Sequence, residues 1–403
     1  MNIIFIHQNM PGQYKHLAAK LAEHSQNKVV FITKREDRNI PNVRRIAYKV
    51  PRSPNDATHN YLRSTENAVL HGQAVVRVLL NLRQEGFVPD IVVGHPGWGE
   101  TLFVKDIFPS VPFLNYCEFF YRAYGMDVGF DPASPVNLDT VLRVRIRSTP
   151  LLLSLEACDR GVAPTEWQRR THPEPFQSKI DVIHEGIDTT LLRGSPDARF
   201  MLPDGSVLTR EDEVVTYAVR NLEPYRGFPT FMRAVPKILA AHPKAKILVI
   251  GGDDSSYGGR PPDGRSWRET MLDEVAIDPT RVHFLGHLPY DRFVAALKVS
   301  RAHVYLTYPF VLSWSMLEAM ALGCVVVGSS TAPVQEVIRH GENGLLVDFF
   351  SPNALADQVA AVLSDPGAFA SLSQAARETV VERYDLSRCM ARHLSLIDEM
   401  VGG

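Results

Sequence analysis

Two arginines six residues apart, and one glutamate in an otherwise apolar helix, are where this sequence concentrates its chemistry. Arg220 and Arg226 flank the turn in "YAVRNLEPYRGF", past an apolar run that reads as a strand and before a helical pattern. Two guanidinium groups so placed suit a diphosphate, which accepts several charge-assisted hydrogen bonds at once. Glu318 lies in "SWSMLEAMALG", where Leu317, Ala319, Met320, Ala321 and Leu322 make the helix apolar nearly all round. That pattern implies burial, and a buried carboxylate needs a partner. Two readings stay open. Ser315-Met316-Leu317-Glu318 has the spacing of a capping box, in which the glutamate reaches back to the cap amide. Alternatively the helix start faces a ligand whose hydroxyls donate to Glu318 and whose anionic group meets the amides there.

Further candidates stand at other strand ends. Gly12, in "HQNMPGQYKH", sits where a backbone can approach an anion at a helix start. "GHPGWGET" puts His95 and Trp98 at one strand end, and "NYCEFFYR" puts Glu118 at the next, to pair with Arg122 or touch a substrate hydroxyl. His7, His184 and Glu185 also lie near strand ends. The loop "GGDDSSYGGRPPDGRSWRE" follows another strand, and an ordered insertion of that length is more often functional than idle. G-x-G-x-x-G and Walker A motifs are missing, which disfavours a dinucleotide dehydrogenase or P-loop enzyme. D-x-D, H-E-x-x-H and zinc-spaced Cys/His clusters are missing too, so neither metal nor cofactor is expected.

The elements that must carry these residues follow from periodicity. Short continuous apolar runs such as "NIIFIH", "KVVFIT", "DIVVGH" and "VPFLNY" alternate with helical patterns, which predicts parallel sheets covered on both faces. After the polar stretch 193–206 the alternation restarts with "EVVTYAV", "AKILVIGG", "RVHFLGH" and "CVVVGSS". We therefore expect two doubly wound Rossmann-like α/β domains, residues 1–194 and 195–403, facing a cleft, with the last helix returning to the first domain. In 403 residues, 45% are hydrophobic and 22% charged, as in ordinary globular proteins, and a net charge of −2 gives no reason to expect a nucleic-acid partner. Four scattered cysteines and an apolar N-terminal run of only four residues point to a cytoplasmic setting. The segment 138–158 mixes Arg143, Arg145 and Arg147 with aliphatic residues. It reads as a half-buried helix with a basic face, or as a peripheral membrane contact.

The block "YLTYPFVLSWSMLEAMALGCVVVGSSTAPVQEVIRHGENGLLVD" resembles the donor-binding signature of retaining glycosyltransferases of the family 4 type, which have the GT-B fold. "VRNLEPYRGF", "VIHEGIDT" and "VHFLGHLPY" add to it in the right order. The resemblance implies that Glu318 accepts from the ribose hydroxyls of a UDP- or GDP-linked sugar and that Arg220 and Arg226 hold its diphosphate. It further implies that the amides of Ser313, Trp314 and Ser315 meet the phosphate, that Gly12 forms the glycine loop of the first domain, and that His287 lies near the base. Two positions depart from the pattern. Phe310 stands eight residues before Glu318, where the family has a glutamate, and Cys117 and Glu118 stand where a histidine is usual. Glu118 is taken as its substitute, with His95 and Trp98 on the acceptor or sugar side. The function implied is metal-independent transfer to a saccharide, lipid-linked or small-molecule acceptor, in polysaccharide or cell-envelope glycan synthesis. A nucleotide-sugar epimerase and a catalytically silent nucleotide-sugar sensor are the rival readings.

Overall fold

The computed structural model describes residues 1–402 and divides into two compact units. Unit 1 is Met1–Gly186 together with the chain from Leu386 onward, and unit 2 is Ile187–Asp385. The first crossing thus falls eight residues before the expected boundary at 194. The cause is local: Ile187 donates its amide to the Tyr384 carbonyl, and the Arg377 guanidinium donates to the carbonyls of Thr189 and Leu192.

Unit 1 contains β1 (Asn2–Ile6), β2 (Lys28–Thr33), β3 (Val43–Ala47), β4 (Ile91–Gly94), β5 (Phe113–Tyr116), β6 (Arg160–Ala163) and β7 (Ile180–Val182). They form one parallel sheet in the order β3-β2-β1-β4-β5-β6-β7. Alternation along β1 shows why both faces are covered. Ile3 and Phe5 pack with Leu17 and Leu21 of helix Lys15–Ala22 and with Leu396 and Ile397 of the last helix. Ile4 and Ile6 pack on the opposite face with Val75 and Leu79 of helix Arg63–Gln84.

The first strands of unit 2 form a hairpin, β8 (Arg199–Met201) and β9 (Val207–Thr209), near residues 190–210, where the two domains were expected to join. Its parallel sheet contains β10 (Val214–Asn221), β11 (Lys246–Gly252), β12 (Val282–Gly286), β13 (Ala302–Tyr305), β14 (Val325–Ser329) and β15 (Leu345–Val347), in the order β12-β11-β10-β13-β14-β15. Both sheets therefore reverse strand order at one place, between β1 and β4 in unit 1 and between β10 and β13 in unit 2. In doubly wound sheets the crevice beyond the carboxyl ends at that reversal is where ligands bind.

Candidate functional site

In unit 2 the reversal brings together the ends of β10 and β13. Arg220 is exposed at the end of β10. Arg226 behaves differently: it is 6% exposed and donates through Nη1 to Tyr305 Oη (3.2 Å), Thr307 Oγ1 (2.8 Å) and the Val311 carbonyl (2.9 Å). Its guanidinium thus shapes the segment leading to helix Trp314–Ala321. Tyr305 Oη in turn accepts from the Ser313 amide at 2.7 Å. Arg226 is placed there by a tight turn closed by Gly227, at φ +69°, where a β-carbon would come within 2.4 Å of Leu306 Cβ.

The helix cap falls two residues before the expected position. Ser313 is the N-cap and its Oγ accepts from the Ser315 amide at 3.4 Å, so Ser315-Glu318 is not the box that opens the helix. Glu318 is half-buried and accepts from Tyr290 Oη at 2.9 Å, and burial, then the Glu318 carboxylate, raise the Tyr290 pKa. Met316, Leu317, Ala319 and Met320 around it are buried, which fixes the face on which Glu318 emerges. Trp314 is 38% exposed. His287 is exposed in the loop after β12, with its ring against the end of β11: a β-carbon on Gly252 would lie 2.3 Å from His287 Nε2. Phe310 is buried among Tyr225, Tyr257 and Arg226.

In unit 1 the ends of β1, β4 and β5 assemble a polar chain. The Asn9 amide donates to His7 Nδ1 at 2.8 Å, so the ring proton is on Nε2, facing Gln13 Oε1 at 2.7 Å. Gln13 Nε2 then donates to Glu118 Oε1 at 2.8 Å. Burial, and next the nearby His95, lower the His7 pKa well below its usual value and keep it neutral. His95 accepts from the Gly97 amide through Nδ1, leaving Nε2 3.4 Å from Glu118 Oε2, near enough for attraction but without a formed hydrogen bond. Trp98 stacks on the His95 ring at 5.0 Å. Gly12 is needed for an internal reason, since a β-carbon there would lie 2.5 Å from His7 Nε2.

Beside this chain is a small solvent-open recess of about 40 Å³, lined by His95, Asn115, Glu118, Phe119, Tyr121 and Leu151 among others. Two buried polar atoms on its wall, His95 Nε2 and Asn115 Oδ1, have no hydrogen-bond partner. A donor, an acceptor and the 31%-exposed Glu118 carboxylate are what a polyhydroxyl compound needs from a site. Cys117 is fully buried and burial raises its thiol pKa, so it packs the sheet and is no nucleophile.

Sequence reasoning missed Gln13, Asn115 and Glu223. Gln13 adjoins the glycine already singled out, and Asn115 is a polar residue inside an apolar strand. Glu223 lies between the two arginines and is 1% exposed. Among the described residues no group of three or more His, Cys, Asp or Glu side chains is placed to hold a metal ion.

The family model described as "Glycosyl transferase family 4 group" matches residues 25–192, and that described as "Glycosyl transferases group 1" matches 204–379. A D-inositol 3-phosphate glycosyltransferase of Rhodococcus jostii is 29% identical over 198 residues, 49% of this chain and 42% of that protein. A phosphatidyl-myo-inositol mannosyltransferase of Mycolicibacterium smegmatis is 28% identical over 246 residues, 60% of this chain and 57% of that protein. The chain thus spans about half the length of the curated relatives it matches. Among solved structures, sucrose-phosphate synthase from Thermosynechococcus elongatus superposes with a TM-score of 0.77 at 18% identity, covering 100% of this chain and 99% of that one. Anabaena HepE in complex with UDP-glucose gives 0.68 at 16% identity, covering 98% and 99%. With a family model on either side of residue 200 and this fold, the chain is a GT-B protein of the glycosyltransferase family 4 type.

Proposed function

We propose that this protein transfers a sugar from a UDP- or GDP-linked donor to an acceptor hydroxyl, with retention of configuration and without a metal ion. The observation that carries the reading is the strand reversal of unit 2, where Arg220 stands at the carboxyl end of β10 and the chain leaving the neighbouring β13 runs into the Ser313-capped helix that carries half-buried Glu318. Glu318, which accepts a phenolic hydroxyl from Tyr290, is suited to accept ribose hydroxyls instead. Arg220 and the positive end of the helix would stabilise the charge growing on the leaving diphosphate. Arg226 would add its charge from beneath, while it also holds the segment that leads to the helix. In unit 1, the recess with Glu118, His95 and Asn115 is the proposed acceptor or sugar side, with Glu118 as catalytic residue.

Helices Leu138–Arg147 and Thr149–Ala157 expose Leu138, Leu142, Leu152 and Leu153 beside Arg143, Arg145 and Arg147. No helix among the described residues is long and apolar enough to cross a membrane. The exposed face fits peripheral contact with an anionic bilayer, and a lipid-linked acceptor would be reached there. Flotation with anionic vesicles tests this: changing the three arginines to Gln should abolish binding, and unchanged binding removes the idea.

The primary test is calorimetric titration of UDP, GDP, ADP and CMP into wild type and Glu318→Ala, in EDTA. Selective binding weakened in the variant by about 1–3 kcal/mol, the cost of losing hydrogen bonds to a charged group, supports the donor site. Absence of binding by folded wild type in EDTA overturns the reading.

A further inference from the structure

Residues 253–266 join β11 to helix Trp267–Glu274, and the turn that carries Arg226 holds this loop in place. Glu223 Oε2 accepts from three successive amides, Ser256 (3.3 Å), Tyr257 (3.1 Å) and Gly258 (2.9 Å). Asn221 Nδ2 donates to Ser256 Oγ at 2.6 Å. A carboxylate that is 1% exposed persists because such charge-assisted bonds offset its lost hydration. Its second oxygen, Oε1, is buried without a partner, so nothing beyond the loop accounts for its burial.

What the loop delivers is Tyr257. Its ring lies 5.3 Å from the Arg226 guanidinium and 4.9 Å from the Phe310 ring, yet 41% of the residue is exposed. An exposed aromatic face adjoining a buried cation matches a hexose bound to a phosphate. The sugar's C–H face carries partial positive charge and meets the negative ring face, while the phosphate meets the cation. Phe310 makes the floor of this corner apolar.

We infer that Tyr257 is a specificity-determining contact for the transferred sugar ring, and that Glu223 is the positioning residue that holds it beside Arg226. This rests on the nucleotide-sugar reading above. A phosphate beside Arg226 brings its sugar against the exposed Tyr257 ring, whose backbone stays latched to Glu223.

The experiment compares affinities for UDP with UDP-glucose, and for GDP with GDP-mannose, in wild type, Tyr257→Ala, Tyr257→Phe and Glu223→Gln. Tyr257→Ala should lower the affinity for the sugar conjugate relative to the bare diphosphate about tenfold, which is about 1.4 kcal/mol. Tyr257→Phe should keep the wild-type ratio because the ring remains. Glu223→Gln should shift the ratio in the same direction as Tyr257→Ala by a smaller factor, since a neutral amide accepts more weakly. A merely structural role would lower both affinities together. If wild type binds nucleotides and the ratio is unchanged in Tyr257→Ala, or falls equally in Tyr257→Phe, this inference is overturned while the transferase reading stands. Absence of any nucleotide binding by wild type overturns both.

Discussion

Glu118 is oriented from two sides, with one oxygen accepting from Gln13 and the other turned to His95 at 3.4 Å. The order of donors and acceptors runs one way, from the Asn9 amide through His7 and Gln13 to the carboxylate, so each proton position is set by the one before it. If Glu118 assists the acceptor hydroxyl, Glu118→Gln should lower kcat by about 100-fold, the lower range for a positioned acid or base, and leave nucleotide affinity unchanged. Steady-state kinetics beside calorimetry separates this from a folding defect, which would lower both. Gln13→Ala should show a milder loss in kcat, because the carboxylate stays but loses one constraint. The sequence made Glu118 visible through its place at a strand end. Gln13 and Asn115 were not legible there, because Gln13 matters through the carboxylate it faces 105 residues away and Asn115 through the partner its Oδ1 lacks. Glu223 looked like one more acid in a polar turn; only its burial against three loop amides marks it out.

At the scale of elements, the site of unit 2 depends on how abruptly β10 gives way to helix Phe228–Ala241. Gly227 makes that possible in the left-handed region, with Leu306 packed over its α-carbon. Gly227→Ala should destabilise unit 2 by about 2 kcal/mol or more, the left-handed cost plus a clash with a fully buried side chain. Urea midpoints check the stability. Nucleotide affinity should fall as well, since Arg226 and the segment it holds move with the turn. The central strands were legible because they are buried on both faces and so read as unbroken apolar runs. β3 was missed: "VRRIA" is an edge strand with its polar residues in solvent. The β8-β9 hairpin was read as linker although its turn, "PDGS", is flanked by short alternating runs whose Phe200 and Leu208 are buried. The cap at Ser313 was placed two residues late because Ser313 and Ser315 both precede the apolar run, and spacing alone does not choose between them. The helical C-terminal segment breaks at Pro366-Gly367, through proline and glycine chemistry, and again at Tyr384-Asp385, where the chain crosses between units.

At the scale of the whole molecule, the two units have separate cores, and they differ in how many neutral histidines those cores enclose. Unit 1 buries His7, His172, His184 and His393, all with pKa lowered chiefly by burial, His172 to about 4. In unit 2, His303 is held down to about 3, and His283 is lowered while only half-buried. A histidine kept neutral in the fold binds its proton more readily in the unfolded chain, so its contribution is whole above about pH 6.5 and is lost on acidification toward the folded value. For His172 the span from 6.5 to about 4 is worth about 3 kcal/mol. Glu100 has the opposite sign: burial raises its pKa, so acidification just above the ordinary carboxylate range favours the fold. One such group does not offset four histidines. Unit 1 should therefore lose more stability than unit 2 as pH falls from 7 to 5. The tryptophans divide evenly, Trp98 and Trp167 in unit 1 and Trp267 and Trp314 in unit 2, so replacing either pair by Phe isolates the fluorescence of the other unit. In urea at pH 7 and pH 5, the midpoint reported by Trp98 and Trp167 should fall further than that reported by Trp267 and Trp314. Equal displacement of both would mean either that the units unfold as one cooperative body or that the buried histidines of unit 1 find protons without opening it, and the argument from separate cores would then fail.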